Sequence, residues 1–108
     1  MAMSDSRISV PAQARRGDPF EVRVSIRHAM ETGYRTDATG QIVARNVVRT
    51  FSCRYNGEVV FAAQLSSGIA ANPFLSFFVV AKAPGEMVFE WIDDAGVKGS
   101  DRVDVNVA

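Results

Sequence analysis

Hydrophobic and polar residues alternate along much of the chain. Phe20, Val22, Val24 and Ile26 take turns with Glu21, Arg23, Ser25 and Arg27, the period-two mark of a strand with one buried and one wet face. Val103, Val105 and Val107 alternate in the same way with Asp104 and Asn106. Between them the pattern predicts strands over 47–54, 59–65, 74–82 and 86–92, with a short opening strand near 7–10. Seven strands and no helical period predict an all-β chain, an immunoglobulin-like antiparallel β-sandwich without the paired cysteines of antibody domains. Turn chemistry falls between the runs, at Arg16-Gly17-Asp18-Pro19, Ala83-Pro84-Gly85 and Asp93-Asp94-Ala95-Gly96. No repeat or linker interrupts the pattern, so 1–108 reads as a single domain, with disorder expected over 1–6.

One hairpin can be argued to the residue. Asn56-Gly57 invites a two-residue turn, but that turn pairs 53 with 60 and 51 with 62, setting apolar odd positions against less apolar even ones. A three-residue loop, Tyr55-Asn56-Gly57, instead pairs Cys53 with Val59 and Phe51 with Phe61. The expectation is therefore a type I turn with Gly57 left-handed in a bulge.

Two regions depart from a plain sandwich. The excursion from His28 to Asn46 is longer than a usual connection and rich in Thr, Gly and charge, with a small hairpin expected around Asp37-Ala38-Thr39-Gly40. Connections of that length often bind something, although a solvated protrusion reads the same way. In the strand after Asn72-Pro73, Leu75, Phe77, Val79 and Ala81 share one face while Phe74, Phe78 and Val80 occupy the other. A two-layer sandwich has one core, so the second apolar face needs either the excursion or another protein over it.

Charge and composition remove several function classes. Twelve basic and twelve acidic residues cancel, leaving no global field to hold nucleic acid or an anionic membrane surface. The longest strongly apolar run, 74–81, is far shorter than the roughly 20 residues of a spanning helix. Met1 to Arg7 holds no apolar stretch of the secretory type, so the chain is expected to stay inside or to travel with something else.

Candidate chemistry is sparse. His28 is the sole histidine and Cys53 the sole cysteine. His28 reads as a hydrogen-bonded imidazole at a strand end, since metal sites and acid/base pairs need convergent partners. Cys53 is expected to be buried between Phe51 and Val59 with a raised thiol pKa, and therefore inert. Asp93-Asp94 reads as turn chemistry. No catalytic group, metal site or cofactor site emerges, and the residues point to a binding subunit with a two-faced apolar strand. A freestanding β-sandwich binding module, and a thiol enzyme using Cys53 with His28, are the readings from other classes.

Several segments together resemble one family. Ile26-Arg27-His28-Ala29-Met30-Glu31-Thr32-Gly33 and the Arg35 to Gly40 stretch are followed by Phe51 to Gly57, Ala71 to Phe77 and Phe89 to Gly96. In this order and spacing they look like SoxZ, the Z subunit of the bacterial thiosulfate-oxidation carrier complex, from about Arg7 to Val107. The resemblance implies a non-catalytic chain that pairs with SoxY, whose Gly-rich arm carries a cysteine bearing sulfur intermediates. It also implies transient contacts with other Sox enzymes, and a periplasmic location reached with the signal-bearing partner. This chain ends in Val103 to Ala108 without such an arm, so it is expected to hold the carrier rather than be it. The interface role carries over to Asn72, Pro73, Phe74, Leu75, Phe77 and Phe78, with either face of the strand toward the partner. Docking of the partner or a client enzyme carries over to His28, Met30, Glu31 and Gly33. Self-association through the same surface when the chain is alone remains open. Tyr34 and a turn at Val97 to Ser100 depart from the family pattern.

Overall fold

The structure, a computed structural model, describes residues 6–65 and 72–108. The expected disorder over 1–5 and Ala71 of the family-like stretch lie outside the described residues. Ser6 belongs to the fold: it opens β1, pairs with Ile26 and donates its hydroxyl to Asp101 Oδ2 at 2.7 Å.

Seven strands form two antiparallel sheets: β1 Ser6–Ser9, β2 Pro19–Ile26, β3 Val48–Tyr55, β4 Glu58–Gln64, β5 Phe74–Val80, β6 Gly85–Asp93 and β7 Lys98–Val105. One sheet has the order β1-β2-β5, the other β4-β3-β6-β7. The immunoglobulin-like sandwich expected from the alternation is what forms. Phe20, Val22, Val24 and Ile26 face inward on β2, opposite Phe51, Cys53 and Tyr55 of β3 and Met87, Phe89 and Trp91 of β6. Phe51 sits at the centre, with the rings of Phe61, Phe77, Phe89 and Trp91 all 6.1–6.4 Å from its own. Phe61 and Phe77 stack across the sheets at 4.1 Å and close the side where β4 and β5 lie.

The β3–β4 hairpin corrects the three-residue loop. Asn56 (φ 51) and Gly57 (φ 85) are both left-handed between Tyr55 and Glu58, which makes a two-residue type I′ turn. The mismatch of faces that argued against this turn is repaired one step further on. Arg54 pairs with Val59, but Cys53 pairs with Phe61 and Phe51 with Ala63, so Val60 is an extra residue in a bulge. The bulge returns Phe61 and Ala63 to the inner side and leaves Val59 exposed beside Arg54.

The last hairpin also differs from expectation. Lys98, Gly99 and Ser100 belong to β7 rather than to a turn, and β7 begins well before Val103. Gly99 reads as turn chemistry in the sequence, yet its reason is packing. A Cβ there would lie 2.2 Å from Nε1 of Trp91, whose indole covers the glycine from inside the sandwich. Gly99→Ala therefore forces the ring off its seat and is expected to cost about 1–3 kcal/mol, read as a lower urea midpoint with unchanged slope.

Candidate docking surface

The alternation in β5 settles which of its two apolar faces is free. Phe77 and Val79 point into the core and Leu75 is half-buried, whereas Phe74, Phe78 and Val80 are 61%, 67% and 49% exposed on the outer face of the sheet. The excursion does not fold over them. Outward on the adjacent β2, Glu21 accepts hydrogen bonds from Ser76 Oγ (2.7 Å) and Arg23 Nε (3.0 Å). These contacts hold its carboxyl below the usual value, the Ser76 bond contributing most. The result is an apolar strip along the sheet edge, backed by a neutralised polar row.

At one end of this strip the two family-like stretches meet. His28 N–H donates to Asn72 Oδ1 (2.9 Å), Asn72 N–H donates back to the His28 carbonyl (2.7 Å), and Ile26 N–H donates to the Pro73 carbonyl (3.0 Å). Asn72 (φ 53) and Met30 (φ 52) are both left-handed, a conformation uncommon for residues other than glycine. Met30 N–H donates to His28 Nδ1 at 2.9 Å, so Nε2 is the nitrogen that donates to Asp93 Oδ2, 3.1 Å away. Met30 Sδ in turn accepts the Val48 N–H. Both ring nitrogens of His28 are thereby committed, and the residue acts as the hydrogen-bonded strand-end imidazole expected.

The pairing of His28 with Asp93 was not legible from spacing. Asp93 and Asp94 diverge at the turn, as expected, but Asp93 turns inward and is buried. Burial raises its pKa, yet hydrogen bonds from His28, the Val97 N–H and Asn46 outweigh it and hold the carboxyl below its usual 3.8. Asp94 faces outward, accepts the Val47 N–H and lies 3.4 Å from Arg45 Nε and 3.6 Å from Arg49 Nε.

From this knot the excursion projects as an antiparallel finger. Glu31 and Asn46 exchange backbone hydrogen bonds at its root, Val43 N–H reaches the Arg35 carbonyl, and Asp37 closes the tip by accepting from Thr39 and Gln41. The hairpin expected around 37–40 is there. Glu31 holds Arg35 through two bonds of 2.9 and 2.8 Å, and Gly33 is left-handed with Arg45 packed close against it. Tyr34 and Ile42 are exposed on the finger, a feature the sequence reading passed over for Ile42.

The sequence-assigned residues thus divide into surface and support. Phe74 and Phe78 form the exposed strip and Asn72 its end, while Glu31 and Gly33 shape the finger. Phe77, Pro73 and Met30 are buried and hold the surface from beneath instead of forming it, and Leu75 is partly so. Cys53 lies fully buried in β3, where burial pushes its thiol up to about 12, and nothing pairs it with His28. Among the described residues no group of three or more His, Cys, Asp or Glu is placed to hold a metal ion.

What fold and surface define is a small antiparallel β-sandwich with an apolar strip exposed along one sheet edge. The sequence matches the family "Sulphur oxidation protein SoxZ" over residues 8–104, and the chain belongs to that family. A comparison with curated proteins finds no match. Among solved structures, a superoxide reductase (neelaredoxin) from Ignicoccus hospitalis is similar with TM-score 0.73 and 18% identity, covering 98% of this chain and 82% of that one. The sulfur carrier protein SoxY from Chlorobium limicola f thiosulfatophilum is similar with TM-score 0.62 and 13% identity, covering 95% and 78%. At these identities the likeness is one of fold.

Two outcomes test this geometry. His28→Ala breaks the largely buried pair with Asp93 and removes the acceptor of the Met30 N–H, with an expected loss of roughly 3 kcal/mol in denaturant unfolding. Because the folded-state pKa of Asp93 is depressed, its contribution is full above the unfolded value and lost as pH falls from 3.8 through the folded value. Asp93→Asn should therefore flatten the acid limb of the stability profile.

Proposed function

We propose that this chain is the non-catalytic subunit of a sulfur-compound carrier complex in thiosulfate oxidation, binding a SoxY-type partner and presenting it to other Sox enzymes. The observation that carries the reading is the uncovered strip of Phe74, Phe78 and Val80 on β5 in a chain of the SoxZ family. Exposed apolar patches of this kind, rimmed by polar groups, mark protein interfaces. The one thiol of the sequence supports a holding role over a carrying one. A carrier sulfur must be exposed and ionisable to take a sulfur group, and Cys53 is neither. The periplasm is the compartment that goes with this role, reached together with the partner.

Co-expression with the Cys-tailed partner, followed by sizing chromatography, tests the reading. The wild-type chain should elute as a one-to-one complex, and Phe78→Asp should weaken it by at least about 30-fold. Phe78 is exposed, so the substitution should leave the chain's own stability within about 0.5 kcal/mol. A chain that elutes alone whatever the partner would favour a freestanding binding module. Native Cys53 should resist alkylation for as long as the chain stays folded and react at once in denaturant.

A further inference from the structure

β5 differs from the other strands that end a sheet. β1 has four residues. β4 carries the bulge at Val60 and is bounded by Glu58 and Gln64, and β7 carries Lys98, Asp101, Arg102 and Asp104. Short length, bulges and charges are the devices that keep an edge from pairing with a foreign strand. β5 has none of them: its seven residues, Phe74–Val80, carry no charge and keep an unbroken register with β2. Among the described residues no strand pairs with its other side.

The register also says which backbone groups face that side. Ile26 N–H donates to the Pro73 carbonyl and Ala81 N–H to the Asp18 carbonyl. Odd-numbered residues of this segment therefore turn their polar groups toward β2. Phe74, Ser76, Phe78 and Val80 turn theirs to the open side, and their side chains stand on the outer face. Donors, acceptors and apolar surface are presented by the same residues.

The outward row Phe74, Ser76, Phe78 reads the same in both directions. We propose that a second copy of this chain pairs its β5 antiparallel to the first about a twofold axis at Ser76, and that this pairing competes with the carrier partner for the edge. In that register Phe74 of each copy lies opposite Phe78 of the other, and Ser76 lies opposite Ser76, so aromatic meets aromatic and hydroxyl meets hydroxyl. Glu21 is already held by Arg23 and Ser76, so no bare carboxylate faces the axis. The competition rests on the partner reading above; the self-pairing does not.

Sedimentation equilibrium of the chain alone should give twice the 11.7 kDa chain mass, and Phe78→Asp should return it to one. Ser76→Cys should cross-link under mild oxidation at least about ten-fold faster than Ala62→Cys on the outer face of β4. The cross-linked Ser76→Cys dimer should fail to bind the partner. A monomer at every concentration, or a dimer in which Ser76→Cys cross-links no faster than Ala62→Cys, overturns the self-pairing. Partner binding by the cross-linked dimer overturns the competition. A wild-type chain that binds the partner yet never self-pairs overturns this inference and leaves the carrier-subunit reading standing.

Discussion

The contact on which the rest of the molecule depends is the aromatic seam of Phe51, Phe61 and Phe77. Phe51 fixes the middle of the core, and the 4.1 Å stack of Phe61 on Phe77 draws β4 and β5, which belong to different sheets, onto one another. A strand has two faces, and committing Phe77 inward commits Phe74, Phe78 and Val80 outward. The exposed strip is thus the obverse of core packing. The same parity leaves the backbone groups of the outward residues unpaired by β2.

The β3–β4 hairpin serves this seam. With its two-residue turn alone, the register would set Phe61 on the wrong side of the sheet, and the bulge at Val60 restores it. Had the turn been the three-residue loop, no bulge would be needed beyond the loop itself. The chain reaches the same inward Phe61 by a different distribution of irregularity, and exposes Val59 as the consequence.

Much of the fold was legible because the period of two in β2 and at the end of β7 is set by burial on one face, which is a property of the sequence. The strand assignments and the inert Cys53 follow from it. What escaped was of another kind. Asn56-Gly57 and Gly99 are residues whose local chemistry admits two explanations, turn or packing, and the choice is made by neighbours far along the chain, Phe61 in one case and Trp91 in the other. The His28 to Asp93 contact joins residues 65 positions apart, and its only local trace was an aspartate pair that a turn already explained. The stretches expected to dock a partner were picked out as sequence, but which of their residues form surface and which support it is set by burial, through the inward commitment of Phe77 and the left-handed turns at Met30 and Asn72.

The indole of Trp91 gives the protein a built-in optical gauge. It is the only tryptophan in the sequence, it is buried, and its N–H has no acceptor, lying against the bare backbone of Gly99 on the β7 side of the core. An indole so enclosed emits at short wavelength and shifts to the red when water reaches it. Since it is turned away from the outer face of β5, its colour registers whether the sandwich is intact and is set apart from the exposed strip of Phe74, Phe78 and Val80.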